Sequence, residues 1–144
     1  RLVVHSAEDV GLADPNALVV ATSALTAYQN LGLPEGLIPL TEAVIYVCEA
    51  EKSNTVVEAM CSAENDAINV KDDNIPPHLK NYEFASKDDK KNKANYKYPH
   101  DYPNRWVEQQ YLPDVLKNAR YYEYGDNKQE QAAKEYWLKI KNKM

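Results

Sequence analysis

The sequence predicts an all-α fold: a compact helical bundle with a long irregular segment rich in aromatic residues and proline. Three observations lead there. Apolar residues recur at helical spacing between residues 14 and 70, in runs separated by proline and glycine. The stretch YKYPHDYPNRWVEQQYLP, residues 96–113, has neither helical nor strand periodicity, and helical spacing returns from about residue 127 to 141. At 144 residues the chain is most simply one domain, long enough to bury a core.

Arg1 opens the chain inside RLVVHSAED, which reads as the middle of an element and has no initiator methionine, so the expectation is a fragment of a longer protein. Asp14 and Pro15 form a helix start, because the carboxylate can accept an otherwise unpaired amide and proline at the first helical position has no amide hydrogen to lose. Gly32 marks the stop. Between them, Leu18, Ala21, Leu25 and Tyr28 form a stripe assigned to the bundle. Val20, Ala24, Ala27 and Leu31 form a second stripe, which in a monomer would leave an apolar strip in water and is therefore the expected oligomer interface.

LPEGLIP is a connector, and Pro39 with Leu40 opens a second helix in which Leu40, Val44, Val47 and Cys48 recur at helical spacing to near Ala50. EKSN supplies a turn with Ser53 or Asn54 as cap, and a third helix runs to about Val70 with Val56, Met60, Ala63 and Ala67 on one face. Its small residues Ala59, Cys61, Ala63 and Ala67 would let another helix approach closely. From Lys71 the character changes: KDDNIPPHL is a proline-broken linker and SKDDKKNKAN a polar run expected to form a mobile loop. The last helix, from about Asn127 to Lys141, carries Ala132, Tyr136 and Ile140 on one side with Trp137 adjacent.

No apolar run approaches the length of a membrane span and no leader sequence is evident, so a soluble, cytoplasmic chain is expected. Cys48 and Cys61 are expected to be reduced and buried. Residues 1–70 carry two bases against ten acids, whereas residues 71–144 carry fifteen bases against twelve acids. Any contact with nucleic acid would therefore fall to the second half.

The chain contains no GxxxxGK[ST], no GxGxxG and only four glycines, which leaves little from which to build a phosphate cradle. No serine lies in GxSxG and neither cysteine lies in a nucleophile motif, so no catalytic, cofactor-binding or metal-binding residue is assigned. Three uses compete for residues 96–113. His100 and Asp101 could bridge two metals in a hydrolase, but the further ligands are missing: His5, even paired with Glu8, and His78 lie far off in sequence. Tyr96, Lys97 and Tyr98, with Lys90, Lys91 and Lys93 nearby, could stack on and neutralise a nucleic acid strand. The favoured use is a structural strap, stiffened by Pro99 and Pro103 and docked by Tyr98, His100, Tyr102, Trp106 and Tyr111, with His100 as a buried hydrogen-bonding pin.

HSAEDVGLADPNAL, GLPEGLIPLTEAVIYVCEAEKSN and YKYPHDYPNRWVEQQYLPD, in that order, resemble the C-terminal region of the replication-associated recombination protein A family. These bacterial AAA+ ATPases, also called RarA or MgsA, are relatives of the eukaryotic Werner helicase-interacting protein. The resemblance spans essentially the whole chain. It implies that residues 1–13 end the helical lid after the ATPase module, and that residues 14–144 are an oligomerisation domain similar to the collar of clamp loaders. It further implies a homotetrameric, DNA-dependent ATPase serving replication, recombination and repair at damaged forks, nucleoid-associated, with DNA and single-stranded DNA-binding protein as partners. ATP and magnesium would belong to the parent's ATPase module, whose phosphate loop, magnesium-binding acids and sensor residues are not in this sequence, so the fragment itself is not expected to be an enzyme. Residues 84–95, FASKDDKKNKAN, are more charged than the family's glycine-containing sequence there. The alternative from a different class is a nucleic-acid-binding helical module that uses the basic, aromatic second half.

Overall fold

The computed structural model describes residues 1–71, 74–80 and 96–141. Every regular element among them is helical, as expected. Helix α1 (Leu2–His5) runs into a π turn at Ser6–Val10 and a 3₁₀ turn at Gly11–Ala13. Then come α2 (Asn16–Leu31), α3 (Leu37–Glu49), α4 (Thr55–Asn69) and, after the irregular segment, α5 (Lys128–Lys141).

The helix ends follow local chemistry. One oxygen of the Asp14 carboxylate accepts the Asn16 amide at 3.1 Å, and the other accepts the Tyr46 hydroxyl at 2.8 Å, which ties the start of α2 to α3. The hydrogen bond to Asp14, partial burial and the Asp14 charge together push the Tyr46 hydroxyl above its ordinary pKa. Gly32 ends α2 at φ +70, a left-handed conformation that costs glycine little. α3 begins at Leu37, ahead of the expected Pro39, because first-turn amides have no intrahelical acceptor and proline there breaks nothing. At its other end the Lys52 ammonium donates to the carbonyls of Val47 at 3.0 Å and Cys48 at 3.2 Å, and also to that of Ala50.

α2 and α3 pack as an antiparallel hairpin, and the seam is built of small side chains. Ala17, Ala21 and Ala24 of α2 are buried, as are Ala43 and Val47 of α3. This departs in part from the expected faces of α2: of the stripe assigned to the bundle, Ala21 is buried and Tyr28 half-buried, but Leu18 and Leu25 are exposed. Alanine at every turn lets two helix backbones approach closely, and the larger leucines are displaced to the flanks.

Residues 6–13 are the hub. Val10 is fully buried against Ala17 and Val47, with Leu2, Tyr46 and Ala50 packed around them. α4 and α5 both pack on this segment. Among the described residues no helix packs on the small residues of α4: Ala59 and Ala63 are half-buried, while Cys61 and Ala67 are exposed. Both cysteines, expected inside, lie at the surface, Cys48 because it shares the outward side of α3. On α5 Ile140 is buried as expected, but Ala132 and Tyr136 face outward.

The buried anchor of α5 is Glu130, 2% exposed. Its carboxylate accepts the Ser53 hydroxyl at 2.6 Å, the Thr55 hydroxyl at 2.8 Å, the Tyr122 hydroxyl at 2.7 Å, the Gly125 amide at 3.2 Å and the Asn127 side-chain amide. The Glu130 amide donates back to Asn127 Oδ1 at 3.0 Å, a capping arrangement at the start of α5. A side chain on Gly125 would place its Cβ 2.7 Å from Glu130 Oε2, so any other residue there must displace the carboxylate. Burial alone would raise the carboxyl pKa, but donation from Ser53, Tyr122, Asn127 and Thr55 outweighs it and lowers the group from 4.5 to about 2. Burial, the bond to Glu130 and its charge push the Tyr122 hydroxyl up.

Candidate functional site

The alanine seam leaves a layer of large aliphatic side chains outside the hairpin. Leu18, Val19, Leu25 and Leu31 of α2 are exposed, as are Leu37, Ile38, Val44 and Ile45 of α3, with Ile38 at 73%. At about 100° per residue, Leu18 and Leu25 lie a quarter-turn from the seam on α2, and Leu37 and Val44 do so on α3. Because the two helices run in opposite directions, these four share one flank of the hairpin. Of the residues expected at an interface, Leu31 is exposed at 57%, Val20 and Ala27 are half-buried, and Ala24 at 4% is covered within the chain and unavailable to a partner.

The strap, residues 96–113, holds 3₁₀ turns at Pro99–Asp101 and Pro103–Arg105, and further 3₁₀ turns lie before and after it at Pro77–Leu79 and Asp114–Leu116. Side-chain amides hold it. Gln109 Oε1 accepts the Lys97 amide at 2.7 Å and Gln109 Nε2 donates to the Lys97 carbonyl at 3.4 Å, so one side chain does the work of a strand partner. Gln110 Nε2 donates to the Leu112 carbonyl and to Asp114, both at 2.8 Å. The Tyr121 hydroxyl donates to Asp66 at 3.2 Å and so fastens the outgoing strap to α4; burial, then this bond, raises its pKa.

The expected rings behave differently from one another. Tyr98, Tyr102 and Tyr111 are exposed, and Trp106 is half-buried with the Lys141 ammonium 5.9 Å from its ring centre. His100 is not a buried pin: it is exposed and lies obliquely on the Tyr98 ring, centroids 5.0 Å apart. The pin is His78, half-buried, whose Nε2 donates to the Gln110 carbonyl at 2.8 Å. Both histidines sit second in a proline-led 3₁₀ turn, Pro99–Asp101 and Pro77–Leu79, but His78 follows the buried Pro76 and reaches the Gln110 carbonyl. His78→Ala is therefore expected to lower stability by about 1–2 kcal/mol and His100→Ala by less than about 0.5, as read from urea midpoints at constant slope.

Among the described residues no group of three or more His, Cys, Asp or Glu side chains converges as a metal site would require. His5 pairs with Asp9 one turn on, rather than with Glu8. Lys90, Lys91 and Lys93, the expected polar loop and residues 84–95 lie outside the described residues. No helix among the described residues is long and apolar enough to cross a membrane.

Over residues 1–141 the sequence matches the family described as MgsA AAA+ ATPase C terminal. The chain belongs to that family. It is 43% identical over 122 residues to replication-associated recombination protein A of Bacillus subtilis (strain 168), covering 85% of this chain and 29% of that protein. It is 37% identical over 123 residues to the protein of the same name from Haemophilus influenzae, covering 85% of this chain and 28% of that protein. With ATPase WRNIP1 of Dictyostelium discoideum it shares 31% identity over 125 residues, 86% of this chain and 14% of that protein. The chain thus spans less than a third of the length of these relatives.

Two features of the chain carry local signals that sequence reasoning passed over. Asn127 and Glu130 have the three-residue spacing of a capping pair. Ala17, Ala21 and Ala24 recur at helical spacing, which marks a close-approach face as well as any leucine stripe marks a core.

Proposed function

We propose that this chain is the oligomerisation domain of a DNA-dependent AAA+ ATPase acting in replication-fork maintenance, recombination and DNA repair, and that it assembles its parent into a homotetramer. The observation that carries this is the aliphatic layer outside the α2–α3 hairpin, where leucine, isoleucine and valine are exposed while the seam beneath is alanine. A single chain that holds so continuous an apolar surface in water has placed its best burial outside itself, and a second copy of the same hairpin is self-complementary to it. The names of the relatives, a replication-associated recombination protein and an ATPase, support the setting.

ATP and magnesium are engaged by the parent's ATPase module, and DNA and single-stranded DNA-binding protein by the parent, in the cytoplasm at the nucleoid. Residues 1–13 end the lid and residues 14–144 form a domain resembling the clamp-loader collar. With Val10 at the core of the hub, a movement of the lid would reach α2 and α3 directly. The fragment does no chemistry, since the phosphate-binding GxxxxGK[ST] is missing from its sequence. No ATP turnover above a mock-purified control is expected in a phosphate-release assay with or without DNA, and turnover that tracks the protein through purification would reject this.

Light scattering tests the assembly. The expected mass is four times the 16.4 kDa of the chain, without nucleotide or DNA. A monomer mass across the micromolar range would overturn the proposal, and a stable dimer would confine it to one interface, leaving the tetramer to the parent.

A further inference from the structure

We infer that the cleft between residues 120–124 and α5 binds single-stranded nucleic acid, stacking a base on Trp137 and holding phosphates with Arg120, Lys134 and Lys141. This goes beyond self-association and uses a different surface. The cleft encloses about 410 Å³, in the size range of small-ligand pockets and too small for a duplex.

Lys134, Trp137 and Lys141 sit at intervals of three and four residues on α5, so all three share one face with a cation one turn to each side of the ring. Arg120 reaches in from the opposite wall, and none of the three cations forms an ion pair among the described residues. Glu123 is the sole acid among the described residues of the lining. Trp137 is 37% exposed and set edge-on to Tyr136, with centroids 5.5 Å apart, which fixes the plane it offers. Facing it, Tyr122 and Tyr124 pack edge-to-face at 4.9 Å, and Tyr122 is anchored through its hydroxyl to Glu130.

This chemistry selects the ligand class. An aromatic face accepts any base, and long cationic side chains follow a flexible phosphodiester. No glycine is among the described residues that line the cleft, and these offer no backbone cradle of the kind that grips a free triphosphate. An acidic peptide would satisfy the cations, but it does not need a ring face with a cation one turn before and one turn after.

Trp106→Phe leaves Trp137 as the sole tryptophan reporter. In that background an oligothymidylate of about twelve nucleotides, titrated at roughly 50 to 200 mM salt, is expected to quench the fluorescence. Trp137→Leu should weaken binding of the labelled strand about tenfold in anisotropy while the melting temperature holds, and Lys134→Ala should lower the salt slope by about 0.7. Lys134→Glu, on an exposed turn, tests the same cleft should Trp137→Leu fail to fold, and should weaken binding at least as much. Strand binding unaffected by Trp137→Leu, or by Lys134→Glu, would overturn the assignment. So would a free adenine nucleotide competing equally per nucleotide, or an acidic peptide with one tyrosine displacing the strand and quenching Trp137.

Discussion

Glu130→Ala should cost about 3–5 kcal/mol and leave much of the chain unfolded at room temperature, because it deletes the buried acceptor on which five donors converge. The total stability of a domain of this size is typically about 5–15 kcal/mol. Those donors belong to three places: Ser53 and Thr55 at the joint between α3 and α4, Tyr122 and Gly125 at the end of the strap, and Asn127 at the start of α5. Their loss therefore undocks α5 and the strap together. Glu130→Gln keeps the shape but turns one acceptor into a donor facing at least two others, for roughly 2 kcal/mol. Urea unfolding measures both, and a Glu130→Ala midpoint within experimental error of the parent's would show that the carboxylate is not the latch.

The same residue sets the acid limit. Its carboxyl is lowered from 4.5 to about 2, so between those values the unfolded chain binds a proton that the folded chain refuses. The contribution, about 3 kcal/mol, is fully present above pH 4.5 and is lost as pH falls toward 2. Stability against pH in Glu130→Gln should therefore be flatter than the parent's across that window.

Helix ends were legible in the sequence because they rest on chemistry within a few residues: Asp14 with Asn16, and Gly32 with its left-handed backbone. Which side of α2 is buried was not legible, since alanine and leucine stripes are both apolar and periodicity does not rank them. The choice is made by how closely α3 can approach. Glu130 was hidden for another reason. An acid ordinarily seeks water, and the hydroxyls that donate to it inside lie 77 and 75 residues away at Ser53 and Thr55. His78 and Gln110, 32 residues apart, are likewise joined only by the path of the strap.

Under the proposed assembly, Leu18→Asp with Leu25→Asp should give a folded monomer, whereas Ala24→Asp should unfold the chain. Both leucines are exposed on one flank of α2, so in a single chain the carboxylates stay in water and the alanine seam is untouched. In the assembly they would be buried. Covering about 600 Å² of apolar surface per copy offers on the order of 15 kcal/mol gross, against an association cost of about 4–15 kcal/mol. The surplus is small enough that two desolvated carboxylates, at several kcal/mol each, remove it. Ala24 differs because it is already buried against α3, where a charge has neither water nor a partner. Raising salt should leave the parent's mass unchanged, because the attraction is apolar. Light scattering with helical circular dichroism reads both properties at once. A Leu18→Asp, Leu25→Asp variant that retained the parent's mass would exclude this flank as the contact, and an Ala24→Asp variant that stayed helical but became monomeric would return the interface to the inner stripe.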